Sequence, residues 1–209
     1  MIQLTRNGMT GSAEIDALRE EFEQLQTFRL PGLIHPNLLK VLLERLDQTA
    51  WKARTHDKIA SEIMPEDPLP INILNFAANS PGFLEVIRQI TGYKEINGYG
   101  GRVYRRATSE HYDSWHDDLS ADSRLVGMSV NLSAVPYQGG IFRLRKKGTE
   151  EILRELPNTG PGDAIFFRIS PDLLHMVTPV EGLAPKTAFA GWFGVSTSGF
   201  YSLVQRPAQ

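Results

Sequence analysis

Two histidines and an aspartate stand where one metal ion could use them. His116 and Asp118 form a His-x-Asp at the end of a β-type run, and His175 opens another such run 57 residues after Asp118. In an extended strand, residues i and i+2 point to one face, so His116 and Asp118 are expected to reach one ion from a single strand. His175, from a distant strand, would complete a face of two histidines and a carboxylate. That face leaves three positions of an octahedral ion open, the arrangement of non-haem Fe(II) sites that react with O₂. Lys186 lies on the last β-type run, six residues before Trp192, and would bring a cation to the same interior. The chain has no cysteine, which excludes thiolate nucleophiles, iron–sulfur clusters and disulfides. Any metal must therefore be held by His, Asp and Glu.

These residues need a scaffold, and the second half of the chain supplies one. From Gly98 onward, β-type runs cover residues 102–106, 112–117, 125–133, 140–145, 151–156, 163–169, 175–180 and 187–195. Turn residues separate them, among them Gly139-Gly140, Asn158-Thr159-Gly160-Pro161-Gly162 and Ser170-Pro171-Asp172. Eight short strands without intervening helices predict a jelly roll, the cupin-like double-stranded β-helix. The first half reads as helix. Ile15, Leu18, Phe22 and Leu25 recur at helical spacing within residues 12–28. Pro36 opens a second helix, and Ser80-Pro81 and Gly92 bracket a third. The proline-rich, acidic stretch 63–70 reads as a surface loop, and residues 53–70 with the turn near Asp113 are expected to frame the site entrance. The fold class is thus mainly β with N-terminal helices: a helical segment 1–97 packed on a barrel core 98–209, together one domain.

From about Gly101 to Phe193 the chain resembles the Fe(II)/2-oxoglutarate-dependent dioxygenases, in particular the prolyl-4-hydroxylase-like branch. The resemblance is carried, in order, by His116-Asp117-Asp118, Asn131-Leu132-Ser133, Gly139-Gly140 and Gly162-Asp163-Ala164, then by His175-Met176-Val177-Thr178-Pro179-Val180, Lys186 and Trp192. It implies that His116, Asp118 and His175 ligate Fe(II). It also implies that Lys186 pairs with the distal carboxylate of 2-oxoglutarate, the co-substrate used with O₂ and, as a supporting reductant, ascorbate. Many relatives use arginine at that place. A lysine is a point charge rather than a fork, so a hydroxyl partner is expected, from Tyr104 or Thr178. The implied reaction is hydroxylation of a C–H bond of an amino acid, peptide or small natural product, releasing succinate and CO₂. Desaturation and cyclisation use the same ligands. Asp118, present as a ligand, leaves no further open position for a halide. The contrasting reading is a non-catalytic or 2-oxoglutarate-independent cupin-like module that binds a metal or ligand, and Lys186 argues against it, because a buried cation there needs a dicarboxylate.

A second His-x-Asp, His111-Tyr112-Asp113, precedes the first by five residues. Counting back from the Leu-Ser and Gly-Gly landmarks favours His116. His35 and His56 read as non-functional. Arg143, Arg145, Lys146 and Lys147 read as a solvated strand edge, whereas Arg102 and Arg106 share a face with Tyr104 and could meet a substrate carboxylate if that face is inward. Lys and Arg total 22 against 24 Asp and Glu, for a net charge of −2. That balance marks no nucleic-acid or anionic-membrane partner. With no apolar run of about 20 residues and no signal-like N-terminus, a cytoplasmic enzyme of a small molecule or peptide is expected.

Overall fold

The computed structural model describes residues 1–56, 60–106, 111, 113–119, 124–157 and 159–195. Its elements run β1 (Gln3–Thr5), β2 (Gly8–Thr10), α1 (Ile15–Leu25), β3 (Thr27–Leu30), α2 (Pro36–Gln48), β4 (Trp51–His56), β5 (Ala60–Pro65), α3 (Leu69–Ala78), α4 (Pro81–Thr91) and β6 (Gly98–Arg106). Then follow β7 (Arg124–Asn131), β8 (Gln138–Gly139), β9 (Phe142–Lys146), β10 (Ile152–Leu156), β11 (Ala164–Arg168), β12 (Leu173–Val177), β13 (Val180–Glu181) and β14 (Lys186–Gly194). A major sheet of order β3-β11-β7-β14-β6-β5-β4 faces a minor sheet of order β10-β9-β12, and β13 pairs with β8. All of these pairings are antiparallel. The protein is mainly β, and two facing antiparallel sheets make the jelly roll.

Strand alternation divides the interior in two. Val103, Val126, Met128, Val130, Phe166, Phe189 and Phe193 point outward from the major sheet and join Phe22, Leu42, Phe83 and Ile87 of the helices in one core. Ile165, Phe167 and Trp192 point inward, against Phe142, Leu144 and Leu156 of the minor sheet. Phe166 stacks on Phe28 with centroids 4.3 Å apart and meets Phe83 and Phe193 edgewise or stacked. Phe166→Ala is expected to cost about 3–5 kcal/mol, to be read from urea unfolding as a fall in midpoint without a change of slope.

α1, α2 and α4 form where their apolar stripes predict. His35 caps α2, its Nδ1 accepting from the Asn37 amide at 3.2 Å, and Pro36 fills the first turn. Gly92 ends α4 in the left-handed region at φ 77°. Ser80 does not cap α4; its hydroxyl donates to the Ala77 carbonyl instead.

Three expectations fail. Of residues 63–70 only 66–68 form a loop: β4 and β5 make a hairpin on the edge of the major sheet, and α3 begins at Leu69. The segment 1–97 is not only helical, because β3, β4 and β5 all enter that sheet. Nor are Arg143 and Arg145 on an edge: β9 is the central strand of the minor sheet, and they pair with Glu155 and Glu150. α3 carried no periodic stripe because it is apolar nearly all round. Its Asn75 and Asn79 side chains clasp the Gly101 and Tyr99 backbones of β6 at 2.8–2.9 Å, fixing the strand that carries the site's basic face.

Candidate metal and co-substrate site

The predicted strand over 112–117 is absent where it can be seen. Tyr112 lies outside the described residues, and Asp113 and His116 make only single bridges. His116 instead pairs with His175 by two backbone hydrogen bonds, at 3.1 and 2.9 Å. Asp118 then adopts a left-handed conformation at φ 56°, which aspartate tolerates better than most residues. This turn, not an extended i, i+2 arrangement, brings the Asp118 carboxylate to the imidazoles. Its oxygens lie 3.6 Å from His116 Nε2 and 3.1 Å from His175 Nε2. Among the described residues, this is the one group of three His, Asp or Glu side chains close enough to share an ion, with ligand atoms all within 4.8 Å of one another.

The surroundings orient the three side chains. His116 Nδ1 lies 2.6 Å from the Ser114 carbonyl, which can only accept. Nδ1 therefore carries the proton, leaving Nε2 for a ligand. Trp192 Nε1 donates to Asp118 Oδ2 at 2.7 Å. Phe167 and Phe142 wall the His175 ring at 4.5 and 6.0 Å. Burial works to raise the Asp118 pKa, but hydrogen bonds and charge from His116 and His175 outweigh it and hold the carboxyl well below the usual range. Two imidazole nitrogens and an ionised carboxylate on one side of a polar recess fit Fe(II). Trp192→Phe keeps an aromatic, though smaller, ring and removes the N–H donor. A roughly ten- to hundredfold loss of Mn(II) affinity is expected, measured by electron paramagnetic resonance.

Lys186 stands apart from the metal group on the inner face of β14. It is 6% exposed, and its Nζ donates to the Gly140 carbonyl at 2.6 Å. Gly139 and Gly140 turn here at φ 66° and 60°; a Cβ on Gly139 would lie 2.1 Å from the Pro179 carbonyl oxygen, and one on Gly140 would press on the Lys186 stem. Burial, with Arg106 nearby adding repulsion, pushes the Lys186 pKa down to about 7. Ser129, Asn131, Tyr137, Thr159, Ile165 and Ala188 join Lys186 around a small recess that opens to solvent. The small Ala188 and Ser129 at the middle of β14 and β7 leave room between the sheets.

Neither expected hydroxyl partner is seen on the lysine. Thr178 Oγ1 accepts from the Ile141 amide at 2.9 Å, and Tyr104 is buried between Arg102 and Arg106. Tyr137, which sequence reasoning passed over, lines the cavity with its ring centroid 5.9 Å from Nζ. Its place two residues before Gly139-Gly140 was the available signal. Asp113, of the rival His-x-Asp, is buried and pairs with Arg106 at 3.0 Å. His35 serves as a helix cap, and the His56 side chain lies outside what is described.

Residues 99–194, a little under half of the chain, match the family model described as the 2OG-Fe(II) oxygenase superfamily. Among curated proteins, none matches by sequence. Solved structures share the fold. A Pseudomonas putida prolyl-4-hydroxylase is 14% identical with TM-score 0.64, covering 87% of this chain and 99% of its own. A Trichoplax adhaerens prolyl hydroxylase in complex with a hypoxia inducible factor peptide is 13% identical with TM-score 0.63, covering 86% and 88%. The epimerase SnoN, in complex with Fe³⁺, alpha ketoglutarate and nogalamycin RO, is 12% identical with TM-score 0.61, covering 93% and 91%. At these identities the likeness is one of fold. No helix among the described residues is long and apolar enough to cross a membrane. The matching stretch carries His116, Asp118, His175 and Lys186 on a jelly roll of this architecture, and residues 99–194 are similar to the 2OG-Fe(II) oxygenase superfamily.

Proposed function

We propose that this enzyme hydroxylates a C–H bond of an amino acid, a peptide or a small natural product, with His116, Asp118 and His175 holding Fe(II) and Lys186 holding the distal carboxylate of 2-oxoglutarate. The observation that carries the reading is a pair of separate features between the two sheets: a two-histidine, one-carboxylate group that includes His175 of β12, and the buried Lys186 of β14 beside a recess. When bound, Fe(II) supplies O₂ activation, so that 2-oxoglutarate, O₂ and R–H become succinate, CO₂ and R–OH.

The chain's own residues do the rest. His116 and His175 present Nε2, and the Ser114 carbonyl fixes the tautomer of the first. Asp118 brings the negative charge and is held in place by Trp192. Lys186 offers a buried Nζ, where a carboxylate partner is worth more than at a surface. Phe142 and Phe167 pack against the His175 ring and shield it from water. Hydroxylation is favoured over halogenation by the carboxylate ligand. An epimerase shares the fold, so the product is to be identified by mass, with a gain of one oxygen expected. The cytoplasm is the proposed setting, and no nucleic acid is required as partner.

The test is succinate formation from 2-oxoglutarate with Fe(II), ascorbate and O₂, comparing wild type with His116→Ala and Lys186→Ala. It is accompanied by 2-oxoglutarate binding to the Zn(II)-loaded protein. Slow turnover lost in both variants is expected. No turnover together with no 2-oxoglutarate binding would sink the oxygenase assignment of these residues and promote the metal-binding module.

A further inference from the structure

The inner face of β6 carries more positive charge than the co-substrate needs. Arg102, Tyr104 and Arg106 alternate inward there, and Arg106 is the direct cross-strand partner of Lys186. Arg106 is 3% exposed. Its Nη1 lies 3.0 Å from Asp113 Oδ2, yet neither Nε nor Nη1 has an aligned hydrogen-bond acceptor. Glu62 of β5, fully buried, is already taken by Arg102, whose Nε and Nη2 reach its two oxygens at 2.7 and 3.4 Å; Arg106 Nη2 stands 3.8 Å off. Arg54 faces Glu62 across the β4–β5 hairpin, and the acceptor its Nη1 reaches is the Met64 thioether, at 3.2 Å. Burial and the neighbouring Arg102 lower its pKa. Buried arginines stay charged, and a buried N–H without an acceptor is costly. Among the described residues, Arg54, Arg102 and Arg106 face two carboxylates, Glu62 and Asp113, so this face carries one positive charge more than those carboxylates balance.

That face borders the metal group. Asp113 bridges Arg106 to His116, with Oδ1 3.7 Å from His116 Nδ1. Arg102 lies over Trp192, the residue that binds Asp118. Resting on the oxygenase reading above, we propose that Arg106, with Arg102 and Arg54 around Glu62, binds the carboxylate of the primary substrate. The substrate is then a small carboxylic acid of amino-acid size, because the guanidinium stands only one side chain from a metal-binding histidine.

The test uses Zn(II)-loaded protein with 2-oxoglutarate under anaerobic conditions and ligand-observed NMR. The probes are the twenty L-amino acids and their N-acetyl derivatives, each as acid and as primary amide, and the acidic tripeptide acetyl-Gly-Asp-Gly-amide. One or more acids are expected to bind while the matching amides do not. Arg106→Gln should weaken that binding roughly ten- to hundredfold, and Arg106→Lys should restore part of it. Arg54→Gln, on the hairpin and less buried than Arg106, gives a second reading if Arg106→Gln does not fold, with a smaller loss in the same direction. Binding of no acid, of acid and amide alike, or of the tripeptide alone overturns the proposal. If 2-oxoglutarate itself fails to bind the loaded wild type, the oxygenase reading falls with it; if it binds, only the substrate inference is at stake.

Discussion

Lys186→Ala is expected to weaken 2-oxoglutarate binding between about a hundredfold and a few thousandfold. The reasoning is that of a buried ion pair deprived of one partner. With the distal carboxylate bound beside Lys186 as proposed, losing its cation costs about 3–5 kcal/mol, at about 1.4 kcal/mol per factor of ten. Titration calorimetry on the Zn(II)-loaded protein reads it. 2-Oxobutyrate, which lacks the distal carboxylate, is the control and should bind wild type and variant alike; an equal loss for both ligands would show that the lysine only supports the fold. The pH dependence has a definite sign. The unbound lysine has a pKa pushed down to about 7, so above that pH the ligand must bring a proton with it. Affinity should fall by up to about tenfold per pH unit above 7 and level off below it. The ligand-free protein should do the opposite. Unfolding restores the ordinary lysine pKa, so between about pH 7 and 10.5 the unfolded chain binds more protons, and stability rises with pH through that window.

Asp118→Asn should abolish the metal site while leaving the turn intact. Asparagine tolerates the left-handed backbone that Asp118 adopts at φ 56°, whereas alanine there would add strain of its own. The change removes the one charge among the three ligand groups. Loss of residues that merely orient metal ligands costs ten- to a hundredfold in affinity, so loss of a ligand should cost more than about a hundredfold. Mn(II) titration followed by electron paramagnetic resonance checks it, with a circular dichroism melt confirming the fold. Retained Mn(II) affinity would mean that Asp118 is not a ligand and would return attention to Asp113.

The chemistry was legible in the chain where residue type and local pattern agreed. His175 and Lys186 fall on strands whose alternation is plain in the sequence, and β14 begins at Lys186 as the run 187–195 implied, within a residue. The pairing of Arg102, Tyr104 and Arg106 on one face also follows from a period of two. What could not be read depends on distant partners. Glu62 falls in the stretch 53–70 expected to frame the entrance, yet it is fully buried, with Arg102, forty residues on, bound to its carboxylate. β3 joins the sheet because β11 presents a free edge to it, a fact of topology rather than propensity. The left-handed turn at Asp118 leaves no mark beyond the aspartate itself. In each case tertiary pairing decided what local preference left undetermined.

The reciprocal backbone pair between His116 and His175 has a consequence for folding. It joins two points nearly sixty residues apart in the chain, and the same two residues present the imidazoles. An ion held by both would act as a crosslink across that long loop, and the entropy of closing it would be met by ligation. Apoprotein should therefore open locally at this clasp, with rapid amide hydrogen exchange at His116 and His175, while the core of β7 and β14 stays protected. Saturating Zn(II), at a hundred times its dissociation constant, should slow exchange at the clasp by up to about a hundredfold, the factor mass action allows.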